Sequence, residues 1–154
     1  MDTVDIELVE RLQRDARTTQ ADLARAVGLS QPSVAERVRK LEERGVITGY
    51  HARTDPAKLG LDITAYIGVG IEHPKHFEAF AEKVLALPEV LECHRVAGQD
   101  SYLLKVRTRN TGTLDELLVD GLRLIPGVVR TVTTIVLSTI KEGTALKVPE
   151  KRSR

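Results

Sequence analysis

Polar and basic side chains recur between residues 31 and 44 of this 154-residue chain, at spacings that fit one exposed face of a helix. Apolar Val34, Val38 and Leu41 lie four and three residues apart, so they would share the buried face of the same helix. The remaining side chains can hydrogen-bond to base edges or pair with phosphates. They are Gln31, Ser33, Glu36, Arg37, Arg39, Lys40 and Arg44. The pattern predicts a helix whose exposed face contacts DNA.

Two earlier helices are needed to position that helix. Thr19, with Asp22 three residues later, resembles a capping box that opens a second helix, and Gly28 can end it with a positive φ. Ser30 can then cap the third helix. A small residue, a turn glycine and an apolar anchor, here Ala24, Gly28 and Val34, are spaced as in a helix-turn-helix. Because basic helix faces are often merely solvated, a three-helix unit without a DNA role stays open.

The chain changes its periodicity after residue 60. Apolar side chains alternate with small or polar ones from Leu61 to Ile71, which predicts a strand with one buried face. A helix over residues 74–86 and a strand to Val96 follow, and the pattern then repeats: a strand over residues 102–107, a helix capped by Thr113 with Glu116, and a strand reaching Ile140. Two such units predict a ferredoxin-like βαββαβ module.

The fold class is therefore predicted as α+β, with a winged-type helix-turn-helix at residues 1–50, a linker at 51–60, the ferredoxin-like module at 61–148 and a basic tail at 149–154. Two helices cover only one face of a four-stranded sheet, so a second copy of the chain is expected on the other face. Gly68 and Gly70 would let another sheet approach, or would serve close packing within the subunit. The tail of Lys151, Arg152 and Arg154 is expected to be solvated.

Other chemistry is poorly supported. Glu72, His73 and His76 have no further ligand nearby, so we predict no metal site, and Cys93 and His94 would point to opposite faces of a strand. No set of residues resembles a catalytic centre, so no enzyme and no cofactor are expected. With 23 basic and 22 acidic residues, net charge does not identify a nucleic-acid binder. No apolar run approaches a membrane span, and one cysteine excludes an internal disulfide, so we expect a cytoplasmic protein.

The whole chain resembles the Lrp/AsnC family of transcription regulators. The resemblance covers residues 2–148 and is strongest in Asp5-Ile6 with Leu12, in residues 22–30 (DLARAVGLS) and in residues 37–47 (RVRKLEERGVI). It implies double-stranded DNA as a partner, dimers formed by facing sheets and often assembled into octamers, and an effector, commonly an amino acid, bound where dimers meet.

The resemblance also implies an effector loop before the third strand. The family usually has Gly-x-x-Asp-Tyr there; Gly98 and Tyr102 fit, while Ser101 stands at the Asp position and Asp100 precedes it. A glycine loop with free amides can hold an α-carboxylate, and Asp100 can hold an α-ammonium. The predicted effector residues are Ala97, Gly98, Gln99, Asp100, Ser101, Tyr102, Thr133, Thr134, Ser138 and Thr139. The four hydroxyl residues can equally be ordinary strand residues.

Two further functions stay open at this point. The protein can be an oligomeric interaction module whose helix-turn-helix does not bind DNA, or a DNA-binding regulator that has no amino-acid switch.

Overall fold

The computed structural model describes residues 1–149, and these residues form two compact units. The first comprises Met1–Arg53 together with the segment that begins at Lys141, and the second comprises Thr54–Ile140. The predicted second domain spans residues 61–148, whereas in the structure the residues from Lys141 onward belong to the first unit. The Gln13 side-chain amide donates to the backbone oxygen of Leu146 at 3.0 Å and accepts from its N–H at 2.6 Å. The predicted basic tail, Lys151, Arg152 and Arg154, lies outside the described residues.

The first unit contains three helices: α1 (Thr3–Arg14), α2 (Gln20–Val27) and α3 (Gln31–Glu43). The predicted caps of α2 and α3 are confirmed, because the Thr19 and Ser30 side chains accept from the backbone N–H three residues later. Gly28 ends α2 with φ of 68°, a left-handed conformation that favours glycine.

The core of the first unit lies where α1, α2 and α3 meet. Its buried members are Leu8, Leu23, Ala24, Val34 and Val38. The two α3 anchors are those predicted from the spacing, and Ala24 is the small residue beneath the turn. In α1, Leu8 is fully buried. The residues between 44 and 62 form turns and one short 3₁₀ helix, Ala57–Leu59, and no strand.

The second unit is a four-stranded antiparallel sheet with helices on one face. Its strands are β1 (Ile63–Ile71), β2 (Val90–Arg95), β3 (Tyr102–Thr108) and β4 (Val128–Ile135), in the spatial order β2-β3-β1-β4. Its helices are α4 (Phe77–Leu85) and α5 (Thr111–Glu116), the latter continued by a π-helical turn over Leu117–Leu122. This order and the βαββαβ succession confirm the ferredoxin-like prediction.

Two predicted boundaries in this unit were wrong. The last strand ends at Ile135 rather than Ile140, so Ser138 and Thr139 lie beyond the sheet. Asn110, not Thr113, caps α5: the Asn110 side chain accepts from the Thr113 N–H, and the Thr113 hydroxyl accepts from the Asn110 N–H. Apolar β-type residues after a strand end do not by themselves continue its pairing, because pairing needs a partner strand.

The two faces of the sheet differ in composition. The helix-covered face includes Ala65, Ile67 and Leu104, all fully buried. Neighbouring positions on the strands point to the other face, and there Tyr66, Leu103 and Val132 are 39%, 38% and 47% exposed. Neither α4 nor α5 covers this second face, which we call the open face.

Candidate nucleic-acid interface and effector loop

The N-terminal end of α3 presents polar side chains to solvent. Gln31 and Ser33 are exposed in the first turn, while Val34, Val38 and Leu41 hold the opposite side of the helix in the core. The Ser33 and Ser30 hydroxyls are 2.9 Å apart and hydrogen-bonded. A helix that follows a tight turn in this way can enter the major groove with its first residues near base edges.

Arg37 lies on α3 as predicted, but its side chain is paired rather than free. Its Nη1 donates to Asp2 Oδ2 and to Asp5 Oδ1, both at 2.7 Å, and its side chain is only 34% exposed. The hydrogen bond from the Asp5 backbone N–H lowers the pKa of Asp2 most, and the bond from Arg37 lowers it further. The bonds to Asp2 and Asp5 in turn raise the pKa of Arg37. The periodicity of α3 could not reveal partners more than thirty residues away.

A second set of ion pairs runs along the surface of α3 itself. Arg39 bonds Glu36 at 2.8 Å and also pairs with Glu43, and Lys40 lies 3.3 Å from Glu36. Hydrogen bonds from Arg39 and then Lys40 lower the pKa of Glu36 to about 2. Exposed pairs of this kind are weak and exchange readily with other partners such as phosphates. Both cations can therefore be released to DNA, but the carboxylates compete for them.

Arg44 differs from the other cations of this surface. It is exposed at the C-terminal end of α3, and its side chain forms no ion pair with the described part of the chain. It can meet a phosphate without first leaving a carboxylate. All seven predicted DNA-contact residues thus lie on or next to α3, but their electrostatic states differ.

The loop between β2 and β3 exposes backbone donors. Within residues 1–149, the N–H groups of residues 97–100 donate to no other group, whereas the flanking Val96 and Ser101 donate to backbone oxygens. Ala97, Gly98 and Gln99 are exposed. Gly98 has ordinary negative or extended φ, and a Cβ there would meet nothing within 4 Å. Nothing among residues 1–149 therefore requires a glycine at this position.

Asp100 turns away from this loop and toward the open face of the sheet. Its Oδ1 accepts from Arg130 Nη2 at 2.5 Å, and Arg130 also donates to the Gln99 carbonyl at 3.1 Å. A Cβ on Gly68 would overlap Asp100 Oδ2, so the carboxylate keeps this position only opposite a glycine. Of the two explanations offered for Gly68, close packing within the subunit is the one observed. No local sequence pattern links Arg130 to this loop, so its contact with Asp100 could not be predicted.

The other predicted effector residues do not share one surface. Ser101 accepts from the Ile71 N–H at 3.1 Å, and Tyr102 is 7% exposed, with its ring against Phe77 and Phe80 in the core. Thr134 lies opposite Tyr66 on the open face, and Thr133 lies opposite the buried Ile67. The prediction that Ser138 and Thr139 extend this strand was wrong, as stated above. Of the ten predicted effector residues, Ala97, Gly98 and Gln99 are exposed in the loop itself, whereas the Asp100 carboxylate is bonded to Arg130.

The remaining histidines and the cysteine serve local structure. His73 Nδ1 accepts from the Lys75 N–H at 3.1 Å, and the His76 ring fills the space that a Cβ on Gly127 would need. Cys93 is exposed on the edge strand β2, and its neighbour His94 contacts Glu92 at 3.2 Å. Within residues 1–149, no three His, Cys, Asp or Glu side chains are grouped as a metal site would require.

Comparison with known proteins relates both units to transcription regulators. Residues 1–48 match a winged helix-turn-helix DNA-binding family, and residues 64–146 match the Lrp/AsnC ligand binding domain. The chain belongs to the Lrp/AsnC family. Its regulator relatives include HTH-type transcriptional regulator YezC of Bacillus subtilis, 45% identical over 118 residues that cover 77% of this chain and 83% of YezC. The leucine-responsive regulatory protein of Escherichia coli is 35% identical over 95% of this chain and 90% of its own length.

A solved structure of another transcriptional regulator is similar over nearly the whole chain. A transcriptional regulator of Neisseria meningitidis, in complex with L-Met, superposes with a TM-score of 0.91 at 31% identity, over 95% of this chain and 96% of its own. This Lrp/AsnC protein is thus a transcription regulator with a DNA-binding helix-turn-helix and a ligand-binding domain, and the relatives named are regulators rather than enzymes. No helix in the described part is long and apolar enough to cross a membrane.

Proposed function

We propose that this regulator binds specific double-stranded DNA through the exposed side of α3, that it does so as a homodimer, and that an amino acid bound at the loop of residues 96–101 changes its DNA binding. A cytoplasmic location follows from the DNA target. The observation that supports the proposal most is the exposed first turn of α3, which carries Gln31 and Ser33 above a fully packed core.

The DNA contacts divide by chemistry. Gln31 can form two hydrogen bonds with adenine, and Ser33 can bond to either kind of base edge. Arg44 is placed for a phosphate, as are Arg39 and Lys40 once they leave Glu36. Glu36 can accept from cytosine or repel a phosphate. One such helix makes few contacts, so useful affinity needs two copies, at half-sites about 34 Å apart or at multiples of that distance.

The open face of the sheet supports the homodimer. Its exposed Tyr66, Leu103 and Val132 lie on three adjacent strands, and contiguous exposed apolar groups of this kind mark contact surfaces. A second copy would cover the same residues on both partners in a symmetric dimer. Higher assemblies, such as the octamers that the family resemblance implies, would need further surfaces.

The loop supports a carboxylate ligand. Four consecutive N–H groups without an acceptor suit an anion, and Gly98 leaves space for a ligand or another subunit to approach the backbone. The L-Met complex of the Neisseria regulator and the leucine-responsive relative make an amino acid the expected class. Its ammonium group would have to compete with Arg130 for Asp100.

The first experiment combines DNA selection with sedimentation. The full-length protein would select duplexes from a random library, and sedimentation would then be repeated with each of the twenty amino acids. A dimer or its multiple that enriches one motif, and whose mass or DNA affinity shifts with one amino acid, supports the proposal. A motif without any amino-acid effect leaves a regulator without this switch. No enriched motif favours the interaction module.

The loop assignment has its own test. Gly98→Trp should abolish the calorimetric signal of the amino acid found above and leave the dimer folded, because the indole would cover the exposed amides. Gly143→Trp is the matched control, since Gly143 also has open space and no positive φ. An unchanged titration in Gly98→Trp would reject the loop as the binding site.

A further inference from the structure

The first residues of the chain form a closed set of hydrogen bonds with the middle of α3. Asp2 and Asp5 cap α1 reciprocally, with Asp2 Oδ1 accepting from the Asp5 N–H at 2.9 Å and Asp5 Oδ2 accepting from the Asp2 N–H at 3.1 Å. The other oxygen of each carboxylate accepts from Arg37 Nη1. We call these three residues the Asp2–Asp5–Arg37 clamp.

The clamp differs from the other ion pairs of α3 in what it joins. Arg39 and Lys40 pair with carboxylates of their own helix, so their pairs cannot orient α3 against its neighbours. Arg37 joins α3 to the N-terminus of α1 across 32 and 35 residues of sequence. The core contacts between the same helices are apolar and non-directional, whereas the guanidinium bonds fix a direction.

The geometry also makes Arg37 a poor contact for DNA. Its Nη1 is already shared between two carboxylates, and Asp5 is only 13% exposed, so breaking the clamp would leave a partly buried charge unpaired. The two carboxylates would also lie near an approaching phosphate. If Arg37 contacted a guanine or a phosphate, removing these two acids would strengthen that contact. If Arg37 instead orients the helix, removing them would weaken specific DNA binding.

We propose that Arg37 is a positioning residue: through Asp2 and Asp5 it sets the orientation of α3 relative to α1, and it contacts neither base nor phosphate. This inference rests on the proposed role of α3 in DNA binding. It assigns sequence discrimination to the first turn of α3 and gives the N-terminal carboxylates a part in specificity, although they carry the charge that DNA repels.

The test compares Arg37→Gln, the double variant Asp2→Asn/Asp5→Asn, and the triple variant in the full-length protein. Asparagine keeps the capping acceptors but removes both charges. Binding is measured to the duplex selected above and to a scrambled duplex, over a range of salt concentrations. Glu7→Gln/Glu10→Gln is the matched control, because it removes two charges from α1 and leaves the clamp intact.

The clamp predicts that Arg37→Gln and Asp2→Asn/Asp5→Asn each lower the specific-to-scrambled affinity ratio about tenfold, and that the triple variant is no worse than either. The salt slope should not change. The control pair should strengthen binding slightly to both duplexes. If the aspartate variant raises the specific-to-scrambled ratio, or if Arg37→Gln lowers the salt slope by about 1, Arg37 contacts DNA and the inference is wrong.

Two additional measurements separate folding and the proposed function from the clamp. Circular dichroism melting shows whether the helical unit folds in each variant, and Asp2→Asn alone, at the more exposed partner, provides a milder version with the same expected direction. Gln31→Ala tests α3 directly. If Gln31→Ala lowers specificity but the clamp variants do not, only the clamp is refuted; if Gln31→Ala is silent as well, the assignment of α3 fails and the inference fails with it.

Discussion

The exposed surface of α3 and the loop before β3 are both expected to bind charged partners, but they keep their binding groups in different states. On α3, Arg39 and Lys40 are held by carboxylates of the same helix. In the loop, the N–H groups of residues 97–100 have no acceptor in the described chain, and the one nearby carboxylate, Asp100, is turned aside by Arg130. The cations of α3 must therefore leave a carboxylate before they can bind a phosphate, whereas the N–H groups of the loop can bind an acceptor without leaving another.

This difference has consequences for affinity and selectivity. Exchange of one ion pair for another releases little free energy, so paired cations lower non-specific attraction to DNA and leave more of the discrimination to Gln31 and Ser33. Amides that already lack a partner lose no protein bond when a carboxylate binds, which suits a small ligand with few atoms to contribute. The predictions below test this contrast, from the largest expected effect to the smallest.

The largest effect is expected at Gly68, which makes room for Asp100. Gly68→Ala places a Cβ in the space of Asp100 Oδ2, so the carboxylate must shift and weaken its bond to Arg130, which should lower the free energy of unfolding by about 1.5 kcal/mol. The measurement is urea unfolding at fixed protein concentration, followed by circular dichroism. Gly98→Ala, where a Cβ would meet nothing within 4 Å, is the control and should change stability little.

A second variant identifies the cause of that loss. In an Asp100→Ala background the contact is absent, so adding Gly68→Ala should lower the free energy of unfolding by less than about 0.5 kcal/mol. If the loss persists undiminished, Gly68 is required by something other than Asp100, such as a second subunit on the open face.

The next largest effect is expected at Arg44, which pairs with no carboxylate among residues 1–149. Arg44→Ala should weaken binding to selected and scrambled duplexes alike, by about tenfold, and lower the salt slope by about 1. Arg39→Ala should weaken both by less than about threefold, because Arg39 must first leave Glu36 and Glu43. Equal losses at the two positions would show that the ion pairs of α3 do not restrain its cations.

Glu36 should have a smaller effect, of opposite sign. Glu36→Gln releases Lys40, leaves Arg39 with only its Glu43 partner, and removes a charge that phosphates repel, so binding to the scrambled duplex should tighten by about threefold. Glu43→Gln removes only one of the two partners of Arg39 and should tighten binding to the scrambled duplex less. A cytosine contact by Glu36 would give a different result, namely weaker binding to the selected duplex only.

Periodicity and capping chemistry predicted much of this structure, because they depend on residues close in sequence. The N-caps at Thr19 and Ser30 and the core positions Val34 and Val38 are examples. The sheet order also followed from two β-α-β units in succession. Helix and strand patterns say which face a side chain occupies, and those assignments mostly held.

The partners of the site residues could not be predicted in the same way. Arg37 was placed on the correct helix, but its carboxylates come from the start of the chain. Asp100 was placed in the correct loop, but Arg130 reaches it from a strand two positions across the sheet. Such pairs depend on how elements pack, and no local pattern encodes that. Gly68 stands out in the sequence as a glycine within a predicted strand, but only the position of Asp100 shows which side chain occupies the space beside it.

The smallest effect should appear in the pH dependence of the helical unit. In the folded state, the hydrogen bonds that Glu36 accepts from Arg39 and Lys40 lower the pKa of Glu36 from 4.5 to about 2. A lowered folded-state pKa gives stability that is fully present above pH 4.5 and is lost as the pH falls toward 2. Wild type should therefore melt about 2 °C above Glu36→Gln at pH 7, and this gap should close near pH 2.

The control for this measurement is Glu42→Gln, which lies on the same helix but outside the ion pairs of Glu36. The difference in melting temperature between this variant and wild type should not follow the same pH course. A gap between wild type and Glu36→Gln that is constant from pH 7 to pH 2 would mean that the glutamine alters helix propensity alone. The carboxylate pairs of α3 would then be too weak to hold its cations, and the contrast between the helix and the loop would rest on the loop alone.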